Sequence, residues 1–256
     1  MYRYFELSVK GLVGIIKMDR SPANAFSMDF IKEFNNAFDE FAENKGVRVI
    51  IIMSKLPKIF AAGADINDML TQDTPAHHSA LKELFNKIQN LPKPVIAMIN
   101  GHALGGGFEM TLCCDFRFMD KDGARIGLPE INLGILPASG GTQRMSRLIG
   151  RAKATELLLE GKRIGAEEAL DIGLIHRAYN REELMPKTLE YAHKLAKQAP
   201  VAVRAIKRCL NEGLDLKLAQ GLDLERESLL ALLETEDVKE GVRAFLGKRS
   251  PEFKGI

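Results

Sequence analysis

The sequence predicts an α/β protein, with a parallel sheet flanked by helices and a helical C-terminal part. Three observations carry the prediction. Ile31, Phe34, Phe38 and Phe41 recur at three- and four-residue steps, the mark of a one-faced helix, and are followed by the β-branched run 47–53. The same order returns in Leu81, Leu84, Phe85 and Ile88, followed by the apolar run 94–99. Helix alternating with buried strand is the pattern of crossover units, which join parallel neighbours. From about residue 140 the helical period takes over, with 184–198, 201–211 and 216–234 as the main helices.

In chain order, residues 4–18 read as two strands around Lys10-Gly11. Arg20-Ser21-Pro22 breaks that pattern and leads into a helix near Met28, which Gly46 ends before the 47–53 strand. After the 94–99 strand a glycine-rich entry opens an apolar helix over 105–114. A strand at 115–119, a turn at Lys121-Asp122-Gly123 and a return segment at 124–128 then double the chain back before Pro129. A short helix and a returning strand have similar lengths, so Glu130 can return to Glu109 across 21 positions. Leu222, Leu229, Leu230 and Leu233 make the last of the main helices strongly apolar, as in a helix that packs on a partner subunit. No internal repeat or low-complexity segment interrupts the chain.

Composition excludes several classes of function. The 256 residues are 46% hydrophobic, enough for a substantial core, and 36 Lys and Arg against 34 Asp and Glu leave no general field to attract nucleic acid or anionic lipid. Cys113, Cys114 and Cys209 have no metal-ligand spacing; the adjacent pair reads as small buried hydrophobes in a reducing compartment. The first residues carry charge where a signal peptide needs its apolar region, and the apolar runs are too short to span a bilayer. The expectation is a cytoplasmic protein with no membrane, nucleic-acid or metal partner. His77 and His78 are expected to face solvent, and no histidine is given a catalytic role.

Three constellations can carry chemistry. Gly105, Gly106 and Gly107 open a helix whose first turn holds Glu109. Consecutive glycines cost backbone entropy, and a carboxylate followed by Met110-Thr111-Leu112-Cys113-Cys114 is at least partly buried. Close approach of a ligand to the main chain, and the free N–H groups of a helix start, would offset both costs. An oxyanion cradle beside an acid/base group fits; so does plain glycine packing of helix on sheet. With no Lys-Ser or Lys-Thr following, it is not a phosphate loop.

The second constellation, Phe60-Ala61-Ala62-Gly63-Ala64-Asp65-Ile66, is another small-residue corner between strand and helix. Backbone N–H groups from two such corners can converge on one oxygen, whereas Asp65 taken by itself is most simply a helix cap. The third is the apolar loop 128–137 between prolines, with Glu130 inside it. Burial there should raise the Glu130 pKa, as neutral-pH acid/base work requires; a buried ion pair or a cap is the alternative.

Together these segments, with Asn100-Gly101-His102-Ala103-Leu104 before the glycines, Pro129-Glu130 and Leu136-Pro137-Ala138-Ser139-Gly140-Gly141-Thr142-Gln143-Arg144, closely resemble the crotonase family, specifically its enoyl-CoA hydratases. The resemblance runs end to end, from Arg20-Ser21-Pro22-Ala23-Asn24-Ala25-Phe26 to Lys248-Arg249-Ser250-Pro251-Glu252-Phe253. It departs from the common pattern at Asn67, where many relatives carry lysine, and at Ser139, which replaces a common glycine.

The resemblance implies a spiral of β-β-α units with two nearly perpendicular sheets over residues 1–195, and a helical region over 196–256 that builds a homotrimer or a hexamer of two trimers. It implies oxyanion N–H donors at Ala64 and Gly106 and paired carboxylates at Glu109 and Glu130. The acyl-CoA site would be lined by Ala23, Ala25, Ala62, Ala64, Asp65, Ile66 and Asn67, and by Gly105, Gly106, Pro129, Leu133 and Gly134. The expected reaction is reversible addition of water to a 2-enoyl-CoA, with coenzyme A as part of the substrate and no separate cofactor. An enoyl-CoA isomerase is the alternative enzyme. An RNA-binding relative is the alternative of another class, to which the balanced charge lends no support.

Overall fold

The computed structural model describes residues 2–65 and 74–256. Strands β1 (Phe5–Lys10) and β2 (Val13–Met18) pair antiparallel, and α1 (Met28–Glu43) follows, started by the Ser27 hydroxyl accepting from the Phe30 N–H. The chain continues through β3 (Val49–Ser54), β4 (Ile59–Ala61), α2 (Thr74–Asn90), β5 (Val95–Ile99), β6 (His102–Leu104), α3 (Gly106–Leu112), β7 (Phe116–Asp120) and β8 (Ile126–Gly127). A 3-10 turn at Glu130–Leu133 precedes α4 (Gly141–Ile149), α5 (Arg151–Leu159), β9 (Arg163–Ile164), α6 (Ala166–Asp171) and β10 (Arg177–Tyr179). Helices α7 (Arg181–Ala196), α8 (Pro200–Gly213), α9 (Leu218–Leu233) and α10 (Glu236–Leu246) complete it.

The strands form two mixed sheets, ordered β1-β2-β3-β5-β7-β10 and β4-β6-β8-β9. Each of the pairs β3/β4, β5/β6 and β7/β8 places its first strand in the large sheet and its second in the small one, one position further along each time. Within each sheet these strands run parallel. The large sheet is buried on both faces, which is why its central strands are continuously apolar rather than alternating. Ile50 and Ile52 of β3 and Val95, Ala97 and Ile99 of β5 join the core under Phe30, Phe34 and Phe38 of α1 and Leu84, Phe85 and Ile88 of α2. Their neighbours Val49, Ile51, Ile96 and Met98 point the other way and pack against Leu184, Ala192 and Ala196 of α7.

Three sequence expectations change. The return segment 124–128 narrows to two paired residues, because the Arg125 N–H goes to His102 Nδ1 instead of a ladder carbonyl. The region after residue 140 is not purely helical: β9 closes the small sheet antiparallel to β8, and β10 adds a parallel strand beside β7. His77 is buried, with Nε2 2.6 Å from the Phe26 carbonyl oxygen, and His78 is half-buried, with Nε2 2.7 Å from the Ala138 carbonyl oxygen.

Candidate active site

The parallel strands β4, β6 and β8 end on the same side of the small sheet, so the three segments that follow them meet at one edge. This is the position at which open α/β sheets bind ligands. These segments are the corner 62–65, the Gly105 entry to α3, and the Pro129-Glu130 turn.

At the first corner Phe26 makes both bonds of a parallel bridge with Ala64: its N–H donates to Gly63 O at 2.8 Å and its carbonyl accepts from Asp65 N at 3.5 Å. The N–H of Ala64 itself is therefore directed away from Phe26. Gly63 adopts φ +94°, and a Cβ there would stand 2.8 Å from the Gly106 nitrogen. From the other side, a Cβ on Gly106 would stand 3.6 Å from the Ala64 nitrogen, so the two main chains are in contact. Gly106 is the first residue of α3, and its N–H is one that the helix leaves without an internal acceptor.

The neighbouring glycines answer to other constraints. Gly105 needs φ +54° and sits against Glu130, whose Oε1 would be 3.1 Å from a Cβ, while a Cβ on Gly107 would overlap the Ala61 carbonyl oxygen. The corner is braced from the 20–26 segment. Arg20 donates to Ala25 O at 2.8 Å and to Asp65 Oδ2 at 3.0 Å, and Ala62 N donates to Ala23 O at 3.0 Å. Asp65 forms an ion pair with Arg20 that ties two segments together, and the helix start it was expected to cap lies outside the described residues.

Glu109, on α3, is only 3% exposed. Its Oε1 accepts from Ser139 N at 2.8 Å and from Gly141 N at 2.7 Å. Burial pushes its pKa up, while these two N–H groups and the Arg144 charge pull it back. Glu130 starts the 3-10 turn, and its Oε2 is buried without a hydrogen-bond partner among the described residues. Burial, with the Glu109 charge as a smaller contribution, pushes Glu130 up to about 7; its own backbone N–H opposes the shift. The arrangement thus gives two neighbouring carboxyl groups different environments: one held by charge-assisted N–H bonds, the other desolvated and near neutrality in its titration. Such a pair can take a proton at one position and give one at another near pH 7.

The expected residues divide clearly. Ala64, Gly105, Gly106, Glu109 and Glu130 come together, and Ala23, Ala25, Ala62 and Asp65 stand behind the first corner. Pro129 leads into the 3-10 turn and left-handed Gly134 ends it, while Leu133 is 61% exposed at its outer end. Ile66 and Asn67 lie outside the described residues. Sequence reading did not anticipate the Ser139 and Gly141 donors, because main-chain N–H groups carry no residue signature. That also explains why the departure at Ser139 leaves the contact intact. Among the described residues, no group of three or more His, Cys, Asp or Glu side chains could hold a metal ion.

A family model described as Enoyl-CoA hydratase/isomerase matches residues 9–256. The chain is 38% identical to the short-chain-enoyl-CoA hydratase of Clostridium acetobutylicum over 250 residues, covering 96% of this chain and 95% of the relative. It is 37% identical to the 2,3-dehydroadipyl-CoA hydratase of Escherichia coli, covering 94% of each. A solved enoyl-CoA hydratase from Geobacillus kaustophilus superposes with a TM-score of 0.96 at 39% identity, covering 100% of this chain and 98% of that one.

Proposed function

This chain belongs to the enoyl-CoA hydratase/isomerase family, the crotonases, and we propose that it adds water reversibly across the α,β double bond of a 2-enoyl-CoA to give a 3-hydroxyacyl-CoA. The observation that carries this reading is the pair of carboxyl groups, buried Glu109 and half-buried Glu130, set in unlike environments beside the touching corners of Ala64 and Gly106.

The thioester oxygen sits between the Ala64 and Gly106 N–H groups. As water adds to C3, the π electrons move through C2 and the thioester carbonyl becomes an enolate oxygen, where these donors stabilise the new charge. A single donor of this kind is typically worth about 2.7 to 4 kcal/mol in the transition state. Glu109 takes the proton from the attacking water, and Glu130, protonated near neutrality, delivers a proton to C2. The two carboxyl groups titrate as a coupled pair, so a pH–rate profile reports the pair. The reaction needs no separate cofactor, since coenzyme A is part of the substrate. Ala23, Ala25 and the 62–67 corner receive it on this reading.

The C-terminal region 196–256 serves assembly into trimers, supported by the exposed leucines of α9. A cytoplasmic location is supported by Cys113 and Cys114, adjacent free thiols buried in the core. No described helix is long and apolar enough to cross a membrane.

The test is crotonyl-CoA hydration and 3-enoyl to 2-enoyl isomerisation by Glu109→Gln and Glu130→Gln. Each hydration rate should fall about 10²- to 10⁴-fold, and the double variant should lose less than the product of the two single losses. Near wild-type hydration by Glu109→Gln would leave a single working carboxylate and overturn the two-carboxylate mechanism, and isomerisation that far outpaces hydration in the wild type would replace the hydratase reading with an isomerase.

A further inference from the structure

We propose that Arg144 is a positioning residue for Glu109, acting as a clamp that fixes the 137–141 loop against α2 and thereby sets the two N–H groups that hold the Glu109 carboxylate. The proposal rests on the hydratase reading, in which Glu109 activates the water.

The guanidinium spends its donors on two separate elements. Nε donates to Gln89 Oε1 at 2.7 Å and Nη2 to Asn86 Oδ1 at 2.9 Å, both on α2. Nη1 donates to Ser139 O at 3.0 Å, on the loop. The main chain of the same residue closes the first turn of α4, with Arg144 N donating to Gly140 O at 2.8 Å. Between these grips lie the peptide groups that donate to Glu109 Oε1, from Ser139 and Gly141. The guanidinium lies directly over Gly140, where a Cβ would overlap Nη1 and where φ +109° favours glycine. A planar fork with donors on three sides can bridge two α2 side chains and a loop carbonyl at once, which a lysine ammonium on a flexible stem cannot reproduce.

The clamp also carries charge. The groups that face Glu109 are Glu130 across the site, the Cys113 thiol one turn along α3, and Arg144. Glu130 adds negative charge when ionised, and burial pushes the Cys113 thiol up to about 12, so it stays neutral. Arg144 is the cation in this set, and its field favours the ionised carboxylate that proton abstraction needs.

The experiment follows kcat and KM for crotonyl-CoA hydration across pH 5–9. Arg144→Gln should lower kcat by roughly 10²-fold with little change in KM, because misplacing a catalytic group by about 1 Å costs that much. It should also move the acid limb of the profile to higher pH, since Glu109 then loses its cation. Arg144→Lys should return the limb towards its wild-type position without restoring the rate. The double variant Asn86→Ala/Gln89→Ala, which cuts the tether from the α2 side and leaves the charge, should lower kcat and move the limb less than Arg144→Gln does, since only the Ser139 and Gly141 N–H bonds are then loosened. Wild-type kcat and limb in Arg144→Gln overturn the clamp; if that variant does not fold, wild-type kcat in the α2 double variant overturns it. Both results are distinct from wild-type protein that hydrates no 2-enoyl-CoA, which would remove the hydratase reading and the clamp with it.

Discussion

Glu130 is a carboxyl group placed where ionisation costs folding free energy. Its folded pKa of about 7 stands above its ordinary value of 4.5. Between those values the folded protein holds a proton that the unfolded chain has released, so the contribution of this group to stability falls as pH rises through that window. Glu130→Gln has no charge to desolvate. Its stability should match wild type below about pH 4.5 and exceed it above pH 7, by about 1–2 kcal/mol at most, because the partial exposure of Glu130 screens the full shift. Melting curves from pH 4 to 8 check this, and parallel curves for the two proteins would show that Glu130 is not held protonated. Sequence reading could reach this residue because an acid between apolar neighbours and prolines stands out. Its counterpart restraint on Glu109 was not legible, since the donors are peptide groups and the clamp on them comes from Arg144, far along the chain from Gln89.

At the scale of elements, legibility followed length. The apolar stripes of α1 and α2 and the continuous strands β3 and β5 give enough residues for a period or a run to show, and their bounds shift by only a few residues from the sequence reading. Strands β4, β6, β8, β9 and β10 are two or three residues long, too short for any period, and their existence depends on partners distant in sequence. The small sheet nevertheless builds the site, because its parallel strands deliver three corners to one edge. The β-β-α repeat is likewise a repeat of topology without one of sequence. The glycines that let these corners touch are the most sensitive positions. Gly107→Ala would drive a methyl into the Ala61 carbonyl, a main-chain group held in β4 that cannot move aside as a flexible side chain would. A loss of stability of about 1–3 kcal/mol is expected, with a larger loss of activity as the Gly106 N–H is pushed from its place. Thermal melts with and without acetoacetyl-CoA check both, and an unchanged ligand-induced shift in Gly107→Ala would argue against an oxyanion site at Gly106.

At the scale of the whole molecule, the C-terminal helices carry many exposed apolar side chains. The large sheet and its helices bury their phenylalanines and isoleucines, yet Leu210 of α8, Leu218, Leu222 and Leu229 of α9, and Phe245 and Leu246 of α10 are each more than half exposed, Phe245 reaching 83%. Helix α8 and the C-terminal tail are tied to the core. Lys207 of α8 donates to Asp115 at 2.6 Å and to Lys93 O at 2.9 Å, Asn211 donates to Gln89 O at 2.8 Å, and Arg48 holds both Ala196 O and Phe253 O. Exposed apolar side chains on three consecutive helices are what the proposed subunit interface would cover, since large apolar surface is costly to leave in water. The proposed closed symmetric assembly would cover it on every copy. Sedimentation should report three or six chains at micromolar concentration. Leu222→Glu and Phe245→Glu, each made singly, place a charge on that face without touching the buried core, and should yield a smaller species of unchanged helical content. A wild-type protein that sediments as an active monomer would overturn the assembly, and would require another reason for six large apolar side chains on three consecutive helices to face water.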